Sequence, residues 1–255
     1  MKLHHFTLSL IALIASTAAV SQTKAPEPPY TLSYNVGLTS DYRFRGIAQT
    51  STDPALQAGV DFAHKSGLYL GAWGSNISWI KDYVGATEGS FELDLYGGYK
   101  GSISKDVSFD VGVIGYEYPG NKAADLGGSY VSANTTEVYA ALTYGPATLK
   151  YSRSTGNFFA TADTSGSSYL ELAATFDLGG GYSLTPHVGH QVIQNVPSNT
   201  GDYTDYALTL GKDLGSGWSA SVAVMGTDAN QKFYTDSKGK LLSDSALAVG
   251  LKYSF

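Results

Sequence analysis

The sequence predicts an all-β fold, a twelve-stranded antiparallel up-and-down transmembrane β-barrel with short periplasmic turns and long extracellular loops. Apolar and polar residues alternate in nearly every window after Tyr30, which is the period of a strand with two unlike faces. The connections between these windows alternate strictly between short and long. The composition agrees, because 30 Gly and 19 Tyr against 8 Pro suit many strands and turns.

The N-terminal segment has the layout of a secretory signal peptide at residues 1–21. Lys2 precedes an apolar run from Phe6 to about Ala15, and Ala19 and Ser21 occupy the −3 and −1 places of a cleavage site. The run is too short to span a bilayer as a helix. Residues 22–30 follow as a Pro-rich leader, and the barrel is expected over residues 31–255.

Bulk properties narrow the classes of function. The chain has no cysteine, so an exported form must be held together without disulfides. Its formal net charge is −6, so the chain lacks the overall positive charge that is typical of nucleic-acid-binding proteins. No nucleic-acid partner is therefore expected.

Twelve strand candidates follow Tyr30, each near the length that a tilted strand needs to cross the hydrocarbon. Five short turns and six long loops between them place both termini in the periplasm. The predicted strands are 31–45, 54–64, 67–78, 90–100, 105–117, 135–145, 146–156, 167–178, 181–193, 202–213, 217–228 and 245–255.

The two faces can be separated by parity in the clearest strands. In "FELDLYGGY" Phe91, Leu93 and Leu95 alternate with Glu92 and Asp94. This pattern predicts an apolar face toward lipid and a small or polar face toward a wet interior. The strand at 67–78 is ambiguous, because Leu68 and Leu70 compete with Tyr69 and Trp73 for the outer face.

The last strand, "ALAVGLKYSF", ends on an aromatic residue, Phe255. It is similar to the C-terminal strand of bacterial outer-membrane proteins. That similarity implies recognition by the barrel assembly machinery, in addition to contact with outer-membrane lipid and lipopolysaccharide.

The segment 35–77 carries a more specific resemblance. Its elements "TSDYRFRG", "PALQAGVDF" and "GLYLGAWGSN" resemble the opening region of the TorF-type family of outer-membrane porins. The resemblance implies an outer-membrane β-barrel with a channel role. It implies no particular substrate and no functional residues.

Charged residues predicted to face the lumen near the extracellular mouth form the candidate site. Charges in such a position set the field that a solute crosses. They would form a selectivity zone for small hydrophilic solutes, or they would be ion pairs that fill and stabilise the interior. Acids outnumber bases, which favours a weak cation preference. The candidates are Asp41, Arg43, Arg45, Glu92, Asp94, Glu137, Arg153, Glu171 and Asp205.

Aromatic residues at strand ends predict girdles at the two membrane interfaces. In "TSDYRFRGI" Tyr42 and Phe44 point to the opposite face from the two arginines. The rings and the guanidinium groups therefore cannot line the same nucleotide-stacking groove. The predicted girdle residues are Tyr42, Phe44, Tyr99, Tyr253 and Phe255.

Two other functional classes stay open. A barrel without a conducting lumen would serve a structural or adhesive role. An outer-membrane hydrolase would need a serine, a histidine and an orienting acid together, and His187, predicted to face inward, is the histidine in question. No GxSxG, HExxH, CxxC or phosphate-binding loop is present, so neither a catalytic residue, a metal site nor a cofactor is predicted. The oligomeric state is left open.

Overall fold

The computed structural model describes residues 28–255, so the predicted signal peptide and residues 22–27 of the predicted leader lie outside the described residues. Within residues 28–255 no helix is long and apolar enough to cross a bilayer. One short helix, α1 (Trp79–Asp82), and two 3-10 turns (Ala123–Leu126 and Pro197–Asn199) lie in the connections. The strands are β1 (Tyr30–Thr39), β2 (Arg43–Phe44), β3 (Ile47–Ala48), β4 (Ala55–His64), β5 (Leu68–Asn76), β6 (Phe91–Ser102), β7 (Val107–Glu117), β8 (Thr135–Tyr144), β9 (Ala147–Ser154), β10 (Ser168–Ala174), β11 (Phe176–Gly179), β12 (Tyr182–Val192), β13 (Tyr203–Gly215), β14 (Trp218–Thr227) and β15 (Ala246–Ser254).

The barrel wall is closed and contains twelve antiparallel strands, as predicted. Strands β10 and β11 are two parts of one wall strand, which pairs with β9 on one side and β12 on the other. Strands β2 and β3 pair only with each other and stand apart from the wall. The ring closes where Asn35–Thr39 of β1 pairs with β15, so no edge is left without a partner.

The outer face of the wall is a continuous apolar surface. Leu32, Leu70, Val224 and Leu247 are each at least half exposed, as they would be on a lipid-facing surface. The ambiguous strand is resolved by the same criterion, because Leu68 and Leu70 face outward while Tyr69 and Trp73 face the interior.

Long and short connections are sorted to opposite ends, as the sequence predicts. The short turns are 65–67, 103–106, 145–146, 180–181 and 216–217, and the long connections are 40–54, 77–90, 118–134, 155–167, 193–202 and 228–245. Backbone hydrogen bonds join Tyr34 of β1 to Phe255, so both ends of the described chain lie at the short-turn end.

The first strand is shorter than predicted, and this changes the position of two predicted girdle residues. Strand β1 ends at Thr39 instead of residue 45, and the chain then turns into the barrel. Tyr42 and Phe44 therefore pack among buried interior residues, and their prediction as lipid-interface aromatics is wrong. The alternation that suggested one long strand belongs partly to a separate inward hairpin, since a hairpin has the same period of two.

The long connections pack together into a structured cap, defined here as residues 77–90, 118–134, 155–167, 193–202 and 228–245. Ile80, Tyr118, Ala133 and Ala160 belong to one buried cluster that brings together three of these loops. Backbone N–H groups of Ser78 and Trp79 both donate to the carbonyl of Gln49, at 2.8 and 3.1 Å. The cap is thereby attached to the segment that enters the barrel.

Candidate functional site

The segment that enters the barrel is a tight β-hairpin, called the lumen hairpin below and defined as residues 42–49. Arg43 pairs with Ala48 and Phe44 with Ile47. The two turn residues, Arg45 and Gly46, have φ of 49° and 79°, the left-handed values that a two-residue type I′ turn requires at both positions. The dipeptide Arg-Gly thus serves here as Asn-Gly does in many hairpins.

Arg45, at the tip of the lumen hairpin, reaches the wall opposite the hairpin's point of entry. Its guanidinium donates to both carboxylate oxygens of Glu137, at 3.0 and 2.7 Å, and to Oε1 of Gln191 at 2.7 Å. It also lies 4.2 Å from the ring centroid of Tyr169. The hairpin leaves the wall between β1 and β4, whereas these partners lie on β8, β12 and β10. The lumen hairpin therefore crosses the full width of the lumen.

Gly46 fits against a third part of the wall. A methyl group at its Cα would lie 2.5 Å from Cγ2 of Thr227 and 2.9 Å from Cβ of Asp205. The tip of the lumen hairpin is thus in direct contact with β13 and β14 as well as with β8, β10 and β12.

Arg43 anchors the lumen hairpin to the cap and is itself buried. Its Nε donates to Asp41 at 2.9 Å, and its Nη1 donates to the carbonyls of Gly46, Leu242 and Asp244. The side chains of Arg43 and Asp41 are only 3% and 7% exposed. Arg43 and Asp41 lie inside the barrel, and their contacts are those of interior packing.

A second acidic group receives hydroxyl donors. The hydroxyls of Tyr42 and Tyr118 each donate to Glu92, both at 3.0 Å. Burial, together with the charges of Glu92 and Asp94, raises the pKa of Tyr42 well above its ordinary value, so Tyr42 remains a donor. Oδ1 of Asp94, on the same face of β6, is buried without a hydrogen-bond partner among residues 28–255.

A third group of polar side chains lies on β10, β12 and β13. Tyr169 donates to Asp205 at 2.7 Å, and Nε2 of His187 lies 3.0 Å from the same carboxylate. Glu171 lies 3.7 Å from Nδ1 of His187 and 3.5 Å from Nζ of Lys150. Glu171 and Asp205 therefore face the lumen.

Further toward the short-turn end the inner wall is lined by tyrosines paired with acids. Tyr96 donates to Asp61 at 2.6 Å, and Tyr69 donates to Asp110 at 2.5 Å. Several of these rings cover glycines on a neighbouring strand, and a methyl group at Gly112 would lie 2.6 Å from the Tyr139 hydroxyl. Glycine therefore makes room for the large inward rings.

The predicted inward position of Arg153 is wrong. It shares its parity with Leu149 and Tyr151, and all three are exposed on the outer face of β9. Lys150 and Ser152 face the lumen instead. The charge of Arg153 suggested an inward direction, but a long cation near a strand end reaches the polar interface from the outer face.

The other predicted girdle residues lie near the short-turn end. Tyr99 and Phe255 are 42% and 61% exposed, and Tyr253 stacks on Phe255 with ring centroids 5.5 Å apart. Trp218, which the sequence analysis left out, packs beside Tyr253 at 4.9 Å. These four aromatics have the outward positions that a girdle requires.

The contacts of His187 do not form the serine–histidine–acid arrangement that a serine hydrolase needs. The partners of His187 within the described chain are Tyr169, Asp205 and Glu171, with no serine hydroxyl among them. Within residues 28–255 no group of three or more His, Asp or Glu side chains is placed to hold a metal ion.

Sequence reasoning missed the uncharged members of the site. Gln191 and Tyr169 hold Arg45, and Tyr116 and Tyr118 donate to Glu137 and Glu92. Three of them, Tyr116, Tyr169 and Gln191, have inward parity on their strands, and this parity is the signal that could have found them.

Three solved structures similar to this one are described as outer-membrane porins or channels. The chain matches the KdgM porin in complex with disordered oligogalacturonate with a TM-score of 0.55 and 10% identity, over 88% of this chain and 98% of that one. It matches the NanC porin with a TM-score of 0.53 and 9% identity, over 88% and 99%. It matches a COG4313 outer membrane channel from Pseudomonas putida F1 with a TM-score of 0.50 and 14% identity, over 92% of this chain and 99% of that one.

At such low identity these similarities establish the fold alone. No curated protein sequence matches this chain. The expected TorF-type resemblance is supported only as far as a porin-like barrel. One family model does match, over residues 23–255, and its description is a bacterial protein of unknown function, Gcw_chp. The chain therefore belongs to the Gcw_chp family.

Proposed function

We propose that this protein is an outer-membrane channel through which small hydrophilic solutes or ions diffuse passively, with the lumen hairpin as its narrowest part. The observation that carries the proposal is the contrast between the two faces of the wall. Outward side chains are apolar along the strands, whereas most inward ones between Arg45 and the short turns are small, hydroxylated or charged. A polar lining of this kind is typical of water-filled barrels.

The charges on this lining favour cations. Four inward carboxylates, Asp61, Asp110, Glu171 and Asp205, lie along the path, against three inward bases, Lys100, Lys150 and Lys252. Because Arg43 and Arg45 are each bound to a carboxylate, they do not reverse this balance. The expected selectivity is weak, since most of these acids are paired.

The proposal includes a location and partners. The exposed apolar band of the wall is suited to outer-membrane lipid, and Arg153 on its outer surface is suited to lipopolysaccharide headgroups. Both termini would be periplasmic, and the final strand with Phe255 would be recognised by the barrel assembly machinery. No cofactor is part of the proposal.

Single-channel recording tests the proposal. Refolded protein in a planar bilayer should give small, discrete current steps in 1 M KCl, and a KCl gradient should give a reversal potential on the cation-selective side. Asp110→Asn should move that potential toward zero, while Asp228→Asn, in the cap, serves as a charge-matched control. Folded protein that inserts and passes no current would contradict the proposal.

One observation favours a second candidate, a barrel that does not conduct. The lumen hairpin crosses the whole lumen, and the cap covers it with a buried core. Such a protein would act as a structural or adhesive element. Liposome swelling separates the two candidates, because uptake of arabinose by vesicles with the native protein requires an open path.

A further inference from the structure

Three inward carboxylates on β4 and β6 form no ion pair with any basic side chain of residues 28–255. They are Asp61, Glu92 and Asp94. The inward acids that are in an ion pair with arginine, lysine or histidine are Asp41, Asp110, Glu137, Glu171 and Asp205. A carboxylate held away from bulk water is stabilised by a nearby cation. The patch that contains Asp61 and Asp94 is therefore suited to a cation from outside this chain.

Asp94 is the more enclosed acceptor of this patch. It is only 8% exposed, and its Oδ1 is buried without a hydrogen-bond partner among residues 28–255. Its Oδ2 has no partner there either and is not sealed from solvent. The cross-strand partner of Asp94 is Trp73, and Tyr42 of the lumen hairpin packs on that indole with ring centroids 5.5 Å apart. Asp94 therefore faces the lumen beside the hairpin, with acceptor capacity that a donor in the lumen would satisfy.

Tyr96 supplies an aromatic face next to Asp94, on the same side of β6 and two residues nearer the short turns. Its cross-strand partner is Gly71, which in turn pairs with Asp61 on β4. A methyl group at Gly71 would overlap the Tyr96 ring, so the ring reaches across β5, and its hydroxyl donates to Asp61 at 2.6 Å. Tyr96 and Asp61 are both half-buried, so both are accessible from the lumen.

The same lumen shows twice which group occupies a tyrosine face beside an acid. Nζ of Lys100 lies 4.5 Å from the ring centroid of Tyr69 and 3.6 Å from the carboxylate of Asp110. Nζ of Lys150 repeats this arrangement, 4.9 Å from the ring centroid of Tyr139 and 3.5 Å from a carboxylate of β10. In both places one primary ammonium group is shared by a ring face and a carboxylate, which both attract it.

We propose that Tyr96, Asp61 and Asp94 bind the primary ammonium group of a solute in the lumen. Within residues 28–255 no basic side chain lies over the Tyr96 ring. The solute would supply the ammonium group that Lys100 supplies at Tyr69. The inference rests on the proposed channel, because a solute reaches the patch through the lumen, and it narrows the class of solute to organic amines.

Binding is measured with 4,4,4-trifluorobutylammonium by ¹⁹F NMR, using the folded full barrel in zwitterionic detergent micelles at neutral pH and low, constant salt. The probe carries one ammonium group, and saturable binding is expected with a dissociation constant of about 1 mM, as for a small ligand of this size. The neutral control, 4,4,4-trifluorobutan-1-ol, has the same chain without the charge. It should bind about tenfold more weakly, because it forms no charge-assisted hydrogen bond.

Variants assign the binding to the patch. Asp94→Asn and Asp61→Asn keep the side-chain shape and remove one charge, and each should weaken binding of the ammonium probe about tenfold. Tyr96→Leu removes the ring face and should weaken binding about threefold, the effect of one cation–π contact. Asp228→Asn removes the same charge in the cap and should change the affinity by less than about twofold. Heat-dependent electrophoretic mobility checks that each variant is folded.

Three results would overturn the inference. The alcohol could bind the native protein as tightly as the ammonium probe, or potassium ion could displace the probe as effectively as butylammonium does at equal concentration. Glu171→Gln, which removes a paired acid elsewhere on the wall, could also weaken binding as much as Asp94→Asn, which would assign it to the general negative potential of the lumen. A folded barrel that binds the probe and passes no current would contradict only the proposed channel. One that conducts without binding the probe would contradict only this inference.

Discussion

At the scale of single residues, the pairing of Arg45 with Glu137 is the most consequential contact in the lumen. The side chains are 7% and 0% exposed, and two hydrogen bonds join them. Removal of one partner from such a pair leaves an uncompensated buried charge, whereas removal of both charges together is far less costly. Arg45 therefore connects the position of the lumen hairpin to the stability of the barrel.

Arg45→Met should lower the free energy of unfolding by about 3–5 kcal/mol, because Glu137 would remain buried without its partner. The double variant Arg45→Met/Glu137→Gln should recover most of this loss. Urea titration of the refolded barrel in lipid vesicles gives both values. Lys100→Met is the control, since Lys100 pairs with Asp110 at 3.6 Å but is 53% exposed, and its effect should stay below about 1 kcal/mol. Equal effects of Arg45→Met and Lys100→Met would show that the Arg45 pair is not a buried one in solution.

At the scale of elements, the lumen hairpin depends on its turn. Gly46→Ala would meet two obstacles, a positive φ of 79° and the contact of the new methyl group with Thr227 and Asp205. Gly239→Ala in the cap is a matched control, because Gly239 has a φ of 81° with open space around it. Strain from φ alone costs about 1 kcal/mol, so Gly239→Ala should show a loss near that size.

Gly46→Ala should therefore destabilise the protein more than Gly239→Ala does. The additional loss from overpacking should be about 1–3 kcal/mol. Gly46→Ala should also increase single-channel conductance, because the tip must move away from β13 and β14. Urea titration and bilayer recording measure the two effects. Identical stabilities of the two variants would mean that the tip does not touch the wall.

The cap has its own pH-dependent attachment at Asp82. Its carboxylate accepts hydrogen bonds from Lys238 at 2.6 Å and Ser51 at 3.2 Å, which connects α1 to the last cap loop and to the connection between β3 and β4. Partial burial opposes ionisation, but the hydrogen bonds from Lys238, Ser78 and Ser51 and the charge of Lys238 outweigh it and hold the pKa of Asp82 below its ordinary value. The carboxylate is therefore favoured in the folded cap.

Since the folded pKa of Asp82 is lower than the unfolded one, this attachment contributes above about pH 4 and is lost as the pH falls through the folded pKa. Amide hydrogen exchange in residues 228–245, corrected for the intrinsic pH dependence, should accelerate below about pH 4. Asp82→Asn should remove that step and leave exchange in the wall strands unchanged. A step of the same size in Asp82→Asn would show that Asp82 is not its cause.

The elements differ in how far sequence could predict them. Wall strands such as β6 and β15 were predictable because lipid on one side and water on the other enforce strict alternation. Arg153 was predictable from its parity with Leu149 and Tyr151, yet its charge outweighed that signal. The lumen hairpin was not predictable, since Tyr42 and Phe44 alternate with arginines in the same way whether the chain continues upward or folds inward. Its direction is decided by distant partners such as Glu137 and Gln191, which lie 92 and 146 residues away.

At the scale of the whole molecule, the wall and its contents are separable. The wall is complete without the lumen hairpin, because Thr39 of β1 and Ala55 of β4 are direct cross-strand partners. A two-residue Asn-Gly turn could therefore join them in place of the intervening chain, since such turns match the twist of antiparallel strands. This geometry allows a direct test of what the hairpin does.

A variant in which residues 40–54 are replaced by Asn-Gly should fold into the same wall and conduct more strongly than the native protein. The reason is steric, since every contact across the lumen from Arg45 to β8, β10 and β12 would be lost. Glu137 would then lie at the mouth without a basic partner, so the cation preference should also rise. Conductance and reversal potential in a KCl gradient measure the two effects. Adding Glu137→Gln to this variant should abolish the increase in cation preference and leave the increase in conductance unchanged. Unchanged conductance in a folded variant would mean that the constriction lies elsewhere, in the cap or among the tyrosines nearer the short turns.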